Sequence, residues 1–290
     1  MANKPFSDEV TFSTLPKEIF PLWFSDVSDF EVVKNHSRIV YRVQADGACY
    51  YLKIASESKA EDGWSPNKEK LVLSSDFARH LSDMGAPVAR PVASKRNRYV
   101  EEHTFSNVYL VIQVTAEVSG TTVSEACRDS AVYQRCGIAL AKLHSAAESF
   151  SQISKYEEDA WENYWVETGK KIPDNNQTLL SEYKIIDAWL QASCPLPGGK
   201  GLTHGDTNIL NFIDNKDCVS IIDVDNPEFT WFAVDISHPF RHRNEGISHE
   251  ERYDLWSAFQ YGYCSCRSID LDYETITWLL RLWSLDSYVM

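Results

Sequence analysis

The sequence lacks the features that mark membrane-spanning, disulfide-stabilised and zinc-knuckle proteins. No run approaches the roughly 18 apolar residues that a membrane-spanning helix needs. The seven cysteines form an odd count without a C-x-x-C pair, so neither a disulfide framework nor an ordinary zinc site is indicated. The first residues carry no signal-peptide core. We therefore expect a soluble, cytoplasmic protein with reduced and mostly buried thiols.

Basic residues are also scarce. The chain has 28 Lys and Arg against 42 Asp and Glu, which gives a net charge of −14. Such a charge repels nucleic acids and anionic membrane surfaces, so we expect neither as a partner. The 290 residues, 43% of them hydrophobic, have ordinary globular composition and suffice for two lobes. The composition leaves the oligomeric state open.

The secondary-structure pattern changes along the chain. The first third holds a short helix at 14–24, a helix at 68–84 and runs typical of strands, which lie at 30–33, 38–43, 49–54, 98–102 and 107–114. From about residue 123 the pattern is helical, with apolar spacing at 136–144 and further helices at 158–167, 177–193, 249–262 and 271–287. These patterns predict an α+β fold with a five-stranded N-lobe at 1–114 and a mainly helical C-lobe at 115–290.

Two polar loops lie close together in the C-lobe. The first is His204-Gly205-Asp206, with Asn211 five residues after the aspartate. The second contains Asp223, seventeen residues after Asp206. One carboxylate can orient and deprotonate an acceptor hydroxyl, while a carboxamide and a second carboxylate suit the Mg²⁺ that accompanies ATP. The spacing therefore predicts transfer of the γ-phosphoryl group of ATP.

These motifs resemble those of the aminoglycoside-phosphotransferase and choline-kinase-like family, which has H-G-D where protein kinases have H-R-D. The resemblance extends from about residue 30 to 287 and implies a two-lobed protein-kinase-like fold, with an antiparallel sheet in the N-lobe and ATP in the cleft. It implies that Asp206 is the catalytic base and that Asn211 and Asp223 bind Mg²⁺. Asp235 resembles the aspartate that anchors the catalytic loop. Asp225 would reach a second metal ion or the acceptor.

The resemblance also implies nucleotide-binding residues in the N-lobe. Lys53 lies in the run Tyr-Leu-Lys-Ile, where its neighbours point to one face of a strand and Lys53 to the other. A lysine at this place binds the α- and β-phosphates and pairs with a glutamate of the next helix. Glu69 is the expected partner, with Asp76 as the alternative. Backbone groups near Gln113, Val114 and Thr115 are expected to contact adenine. In the turn at 34–37, Asn35 and Ser37 are either phosphate donors or ordinary turn residues.

The acceptor is the least determined part of the function. A small hydroxyl compound is expected, of amino-alcohol, aminoglycoside or sugar type, because acids and aromatic residues cluster at 157–165 and suit an amine. A basic residue in the groove, such as Lys170, Arg241 or Arg243, would instead favour an anionic acceptor. Two alternatives stay open. One is a bacterial stress-response-type protein Ser/Thr kinase, and the other is a non-catalytic nucleotide-binding scaffold.

Overall fold

The computed structural model describes residues 9–35, 38–56, 68–105, 108–156, 161–241 and 247–289. The chain divides into two compact units. The first comprises Met1–Arg79 and Ala89–Val118, and the second comprises His80–Val88 and Ser119–Met290. The first unit thus extends past the boundary at residue 114 that the sequence predicts, and it lacks the end of the second helix.

The first unit contains a five-stranded antiparallel sheet of order β1-β2-β3-β5-β4. Its strands are β1 (Val27–Asn35), β2 (Ile39–Ala45), β3 (Ala48–Ser56), β4 (Val100–Phe105) and β5 (Val108–Ala116). Asp46 and Gly47 join β2 to β3 with φ values of 49° and 80°. Two successive positive φ angles match the twist of a tight hairpin, for which Asp-Gly is a favoured pair. The structure confirms the predicted five-stranded sheet.

The two faces of this sheet have different coverings. On one face Leu52 and Ile54 belong to a hydrophobic core that includes Leu15 and Ile19 of helix α1 (Glu9–Ile19). On the other face Leu71 of helix α2 (Lys68–Asp83) packs with Val100 and Val111. The helix predicted at 14–24 begins earlier in the structure, at Glu9, and ends at Ile19, where a 3-10 turn at Phe20–Leu22 follows it. Strand alternation thus separates the core-facing side chains of β3 from those beneath α2.

The second unit is mainly helical. Its helices are α3 (Ser130–Ala147), α4 (Trp161–Lys171), α5 (Gln177–Ser193), α6 (Phe232–Ser237), α7 (His249–Cys264) and α8 (Tyr273–Val289). Short strands lie among them: β6 (Thr121–Thr122), β7 (Lys200–Thr203), β8 (Phe212–Asp214), β9 (Val219–Ile221) and β10 (Glu228–Trp231). Strand β7 pairs with β10, and β8 pairs with β6 and β9. These short strands fix the ends of both polar loops.

Helices α3 and α7 approach each other closely through glycine. A Cβ at Gly137 would lie 2.1 Å from the carbonyl oxygen of Phe259, and one at Gly262 would lie 2.0 Å from that of Gln134. A methyl group does not fit at either distance, so the backbones meet at positions without side chains. The contact sets the position of His144, in the last turn of α3, against Tyr263 of α7.

The cysteines contradict the expectation that the thiols are mostly buried. All seven are free thiols, but Cys136 is the one that is buried, whereas Cys194, Cys218, Cys264 and Cys266 are exposed. The exposed thiols lie at helix ends and in a turn between short strands, where packing does not cover them. Within the described ranges, no three His, Cys, Asp or Glu side chains are grouped as a metal site. No helix in those ranges has the length and apolarity to cross a bilayer.

Candidate active site

The predicted catalytic loop follows strand β7 and passes very close to the second polar loop. Gly205 has a φ of 81°, a conformation that glycine adopts at little cost. A Cβ at this position would lie 2.4 Å from the carbonyl oxygen of Asn226 and 3.0 Å from Cγ of Glu228. The glycine of the H-G-D motif is therefore required by both its backbone angle and its close backbone neighbour.

Asp235 anchors this loop from helix α6. Its fully buried carboxylate accepts the backbone N–H groups of His204 and Gly205, each at 3.2 Å, and the hydroxyl of Thr207 at 3.2 Å. Burial, the largest single effect, raises the pKa of Asp235, but the hydrogen bond from His144 together with electrostatic attraction to His144, His238 and His204 holds the pKa below its usual value. The anchoring role expected for Asp235 is confirmed by these contacts.

His144 is a further hydrogen-bond partner of Asp235. Its Nε2 lies 2.9 Å from Oδ2 of Asp235, and its Nδ1 lies 2.8 Å from the Tyr263 hydroxyl. Burial lowers the pKa of His144, so the imidazole is neutral. A neutral ring satisfies both contacts when Nε2 donates to the carboxylate and Tyr263 donates to Nδ1. Sequence patterns assigned His144 no role, and its only sequence signal is its place on the apolar face of α3.

His204 joins the two polar loops. Its Nε2 lies 2.9 Å from the carbonyl oxygen of Ile222, and its Nδ1 accepts the backbone N–H of Asp206 at 3.2 Å. This pattern requires the ring proton on Nε2. The imidazole therefore ties the backbone of the predicted base to the residue immediately before Asp223.

Asn211 and Asp223, the predicted metal ligands, belong to the same hydrogen-bonded frame. The Asn211 side chain donates through Nδ2 to the Asp206 carbonyl at 2.8 Å, which assigns Oδ1 to the opposite side of the amide. Its backbone carbonyl accepts the N–H of Ile222 at 2.9 Å. Asp223 has a φ of 68°, a left-handed conformation that is strained for a residue with a Cβ. One carboxamide oxygen and one carboxylate are hard ligands that fit Mg²⁺ completed by phosphate oxygens and water.

Glu228, which the sequence did not single out, lies beside the catalytic loop. It begins strand β10, and its side chain lies against Gly205. Burial raises the pKa of Glu228 to about 8, with further repulsion from Asp235, Asp206 and Asp286. Such a raised pKa next to a predicted base is typical of functional sites. A glutamate three residues after Asp225 has no motif of its own, so only the pairing of β10 with β7 reveals its place.

Asp286 of helix α8 completes this acidic region. Its carboxylate accepts the Tyr164 hydroxyl at 2.8 Å and the Thr168 hydroxyl at 3.2 Å, both from helix α4. Trp165 of the same helix is buried and stacks on Tyr183, so it is a core residue. The predicted acids at 157–160, and the side chains of Trp161 and Glu162, lie outside the described residues.

In the first unit, Lys53 faces the side of the sheet that α2 covers. It lines a small cavity with Leu71 and Gln113, as strand alternation predicts. Glu69 lies exposed in the first turn of α2, and its pairing with Lys53 stays a prediction. The alternative partner, Asp76, has an oxygen 3.8 Å from a guanidinium nitrogen of Arg79.

The predicted adenine-contacting residues lie inside strand β5. Gln113, Val114 and Thr115 pair with β3, and the strand continues to Ala116 because a neighbouring segment adds hydrogen bonds. The N–H of Val92 donates to the Val114 carbonyl at 2.8 Å. Their contact with adenine stays a prediction. Of the turn at 34–37, the side chain of residue 35 and residues 36 and 37 lie outside the described residues.

We predict that Glu228→Gln changes the pH dependence of stability. With a folded pKa near 8 against 4.5 for the ordinary carboxyl, the folded protein retains a proton that the unfolded chain loses between these values. The contribution of Glu228 to stability is therefore greatest below pH 4.5 and is lost as the pH rises to about 8. Urea unfolding measured from pH 5 to pH 8 should show a smaller decrease in the free energy of unfolding in the variant than in the wild-type protein. The exposed Glu250→Gln serves as control, and equal slopes in both variants would refute the assignment.

Comparisons with known proteins show which family and which folds the chain resembles. The model of the family described as "Phosphotransferase enzyme family" matches residues 31–269. A structure of the amicoumacin kinase hAmiN in complex with AMP-PNP, Ca²⁺ and Ami is similar, with a TM-score of 0.77 and 22% identity over 98% of this chain and 85% of that one. A microcompartment-associated aminopropanol kinase gives a TM-score of 0.68 and 18% identity over 94% of this chain and 88% of that one.

The aminoglycoside phosphotransferase APH(3'')-Id from Streptomyces rimosus gives a TM-score of 0.59 and 18% identity, over 97% of this chain and 99% of that one. The comparison with curated protein sequences found no match. At these identities the solved structures establish the protein-kinase-like fold, while the family model covers most of the chain. This chain belongs to the phosphotransferase enzyme family.

Proposed function

We propose that the protein transfers the γ-phosphoryl group of MgATP to a hydroxyl of a small molecule in the cytoplasm. The observation that carries the proposal is the hydrogen bond from the Asn211 side chain to the Asp206 carbonyl. It joins the proposed base and a proposed metal ligand within one hydrogen-bonded loop. The similarity to a kinase structure containing AMP-PNP and Ca²⁺ supports an ATP-type donor.

Each residue has a defined part in the proposed reaction. Asp206 accepts the proton of the acceptor hydroxyl as the hydroxyl oxygen attacks the γ-phosphorus directly and ADP leaves. Asn211 and Asp223 hold Mg²⁺, and Lys53 positions the α- and β-phosphates. When bound, Mg²⁺ neutralises charge on the phosphates. Catalysis then consists mainly of positioning and charge stabilisation, with no covalent intermediate on the enzyme.

We further propose that the acceptor carries an amine. Glu228 lies near Asp206 and Asp286, and repulsion from each of them adds to the effect of burial in raising the pKa of Glu228. An ammonium group placed here would favour the ionised form of Glu228 and reduce the repulsion. An anionic group placed here would instead increase the repulsion and disfavour the ionised form of Glu228. An aminopropanol kinase and an aminoglycoside phosphotransferase among the similar structures support this class.

We expect small amino alcohols to be better acceptors than hydroxy acids or neutral sugars of matched size. The physical reason is the carboxylate-rich surrounding of the proposed base. ADP release from MgATP, measured across these three series with purified protein, gives the comparison. A clear preference for hydroxy acids would overturn the amine proposal, and transfer to protein rather than to small molecules would overturn the acceptor class.

Asp206→Asn should lower phosphoryl transfer by about 10²–10⁴-fold, the usual loss when a general base is removed. Affinity for MgATP should stay within a few-fold, because the carboxylate acts on the acceptor. Turnover and nucleotide binding are to be measured on the same sample. Near-normal turnover with the best acceptor would exclude Asp206 as the base.

Asp223→Ala is the variant to compare with Asp206→Asn. Removal of a carboxylate ligand should weaken nucleotide binding in Mg²⁺ while changing it little in EDTA. If Mg²⁺ strengthens ATP binding equally in wild type and variant, Asp223 does not bind the metal ion. The pair of variants thus separates the proposed base from the proposed ligand.

A further inference from the structure

A buried histidine, His238, contacts the loop that carries the proposed base. It begins the 3-10 turn His238–Phe240, directly after helix α6. Its Nδ1 accepts the backbone N–H of Thr207 at 3.2 Å. Thr207 is the residue after Asp206, so the hydrogen bond is made to the peptide group that joins these two residues. No motif in the sequence marks His238, and only the folded chain brings it to this loop.

Four consecutive backbone N–H groups of the catalytic loop each donate to a side chain, and they belong to His204, Gly205, Asp206 and Thr207. Asp235 accepts the first two, and the His204 ring accepts the third. Asp235 also accepts the Thr207 hydroxyl, but the Thr207 N–H donates to His238. His238 is therefore the acceptor that completes this set on the C-terminal side of the proposed base.

The peptide group between Asp206 and Thr207 is held at both of its polar atoms. Its N–H donates to Nδ1 of His238, and its carbonyl accepts Nδ2 of Asn211 at 2.8 Å. The N–H and C=O of a trans peptide lie in one plane and point in opposite directions, so two such contacts fix the rotation of that plane. Loss of the His238 contact would free the plane to turn. Such a rotation would move both the Asp206 side chain and the carbonyl that holds Asn211.

The contact with Thr207 determines the tautomer of the His238 ring. A backbone N–H only donates, so Nδ1 is unprotonated and the neutral ring carries its proton on Nε2. Burial lowers the pKa of His238 to about 3, which keeps the ring neutral near pH 7. Oδ1 of Asp235 lies 3.7 Å from Nδ1, beyond hydrogen-bond distance. Within the described part of the chain Nε2 has no hydrogen-bond partner, so the Thr207 N–H makes the one hydrogen bond to this ring there.

Helix α8 holds the ring in this position. The ring of Trp283 meets that of His238 edge to face, with the two centroids 4.6 Å apart. The indole N–H of Trp283 donates to the hydroxyl of Ser237, the residue before His238, at 2.9 Å. All three residues are buried. One tryptophan thus contacts both the ring and the adjoining residue, which leaves the imidazole little room to turn away from Thr207.

We propose that His238 is a positioning residue for phosphoryl transfer, which accepts the Thr207 N–H through Nδ1 and thereby orients the peptide group between Asp206 and Thr207. This inference rests on the proposed function, because it takes Asp206 as the base and Asn211 as a metal ligand. The histidine acts through the backbone and exchanges no proton. Its effect is on the placement of Asp206 and Asn211, and a small misplacement of such groups lowers turnover strongly.

Two substitutions separate this hydrogen bond from simple packing. In His238→Asn the side-chain oxygen is as many bonds from the backbone as Nδ1, so it can still accept the Thr207 N–H. In His238→Gln the oxygen corresponds to Nε2, although the side chain fills more of the space. ADP formation should stay within a few-fold of wild type in His238→Asn and fall by about 10²-fold in His238→Gln, with nucleotide affinity in EDTA unchanged in both. A role in packing alone predicts the opposite order, because Asn leaves the larger cavity.

Hydrogen exchange of the Thr207 amide tests the contact without phosphoryl transfer. Its protection should persist in His238→Asn and be lost in His238→Gln, and nitrogen NMR spectra of the wild-type protein should show an unprotonated Nδ1 on His238. His103→Gln is the control, because the His103 ring contacts Glu18 in the first unit, and it should change neither turnover nor exchange. Thermal melting shows which variants are folded, and the wild-type spectrum needs no variant.

Three results would each overturn the proposal. They are a lower turnover in folded His238→Asn than in folded His238→Gln, an unprotected Thr207 amide in the wild-type protein, and a proton on Nδ1 of His238. The proposed function is tested separately. If the exchange pattern is as expected but the wild-type protein phosphorylates no small hydroxyl compound, the proposed function fails, and with it the role in transfer, while the hydrogen bond is supported.

Discussion

The site depends on the hydrogen bonds made to one buried carboxylate, that of Asp235. A charge without contact to water is very unfavourable unless it is paired and hydrogen-bonded. Here the required partners are the backbone N–H groups of His204 and Gly205, the Thr207 hydroxyl and the His144 imidazole. Satisfying the carboxylate therefore fixes the backbone on both sides of Asp206. The close α3–α7 packing supplies His144 at the required place.

The same hydrogen-bonded network extends to the second polar loop, where the backbone of Asp223 is strained. His204 contacts the carbonyl of Ile222, and the backbone of Asn211 accepts from the same residue. Asp223 follows in a left-handed conformation that these neighbours hold in place. Strain kept by surrounding contacts is typical of binding sites. The raised pKa of Glu228 is a second cost at the same place, and an incoming cation would relieve it.

Sequence reasoning succeeds here where the signal is local. The long helices follow from apolar periodicity, and the polar loops follow from a motif whose glycine is needed for close backbone approach. Sequence reasoning fails where the residues in contact come from distant segments of the chain. Glu228 and His144 acquire roles only through strand pairing and helix packing, and exposed Cys264 and Cys266 show that residue type alone does not fix burial. Strand β5 extends past its predicted end because a separate segment pairs with it.

The central claim is that an ionised Asp235 holds the catalytic loop so that Asp206 can act. Its most direct test is ADP formation by Asp235→Asn, with nucleotide affinity and melting measured on the same preparation. An asparagine replaces one acceptor oxygen with a donor that faces N–H groups. We expect a loss of about 10²-fold in turnover from misplacement of the loop, with nucleotide still bound. A folded Asp235→Asn protein with unchanged turnover would contradict it.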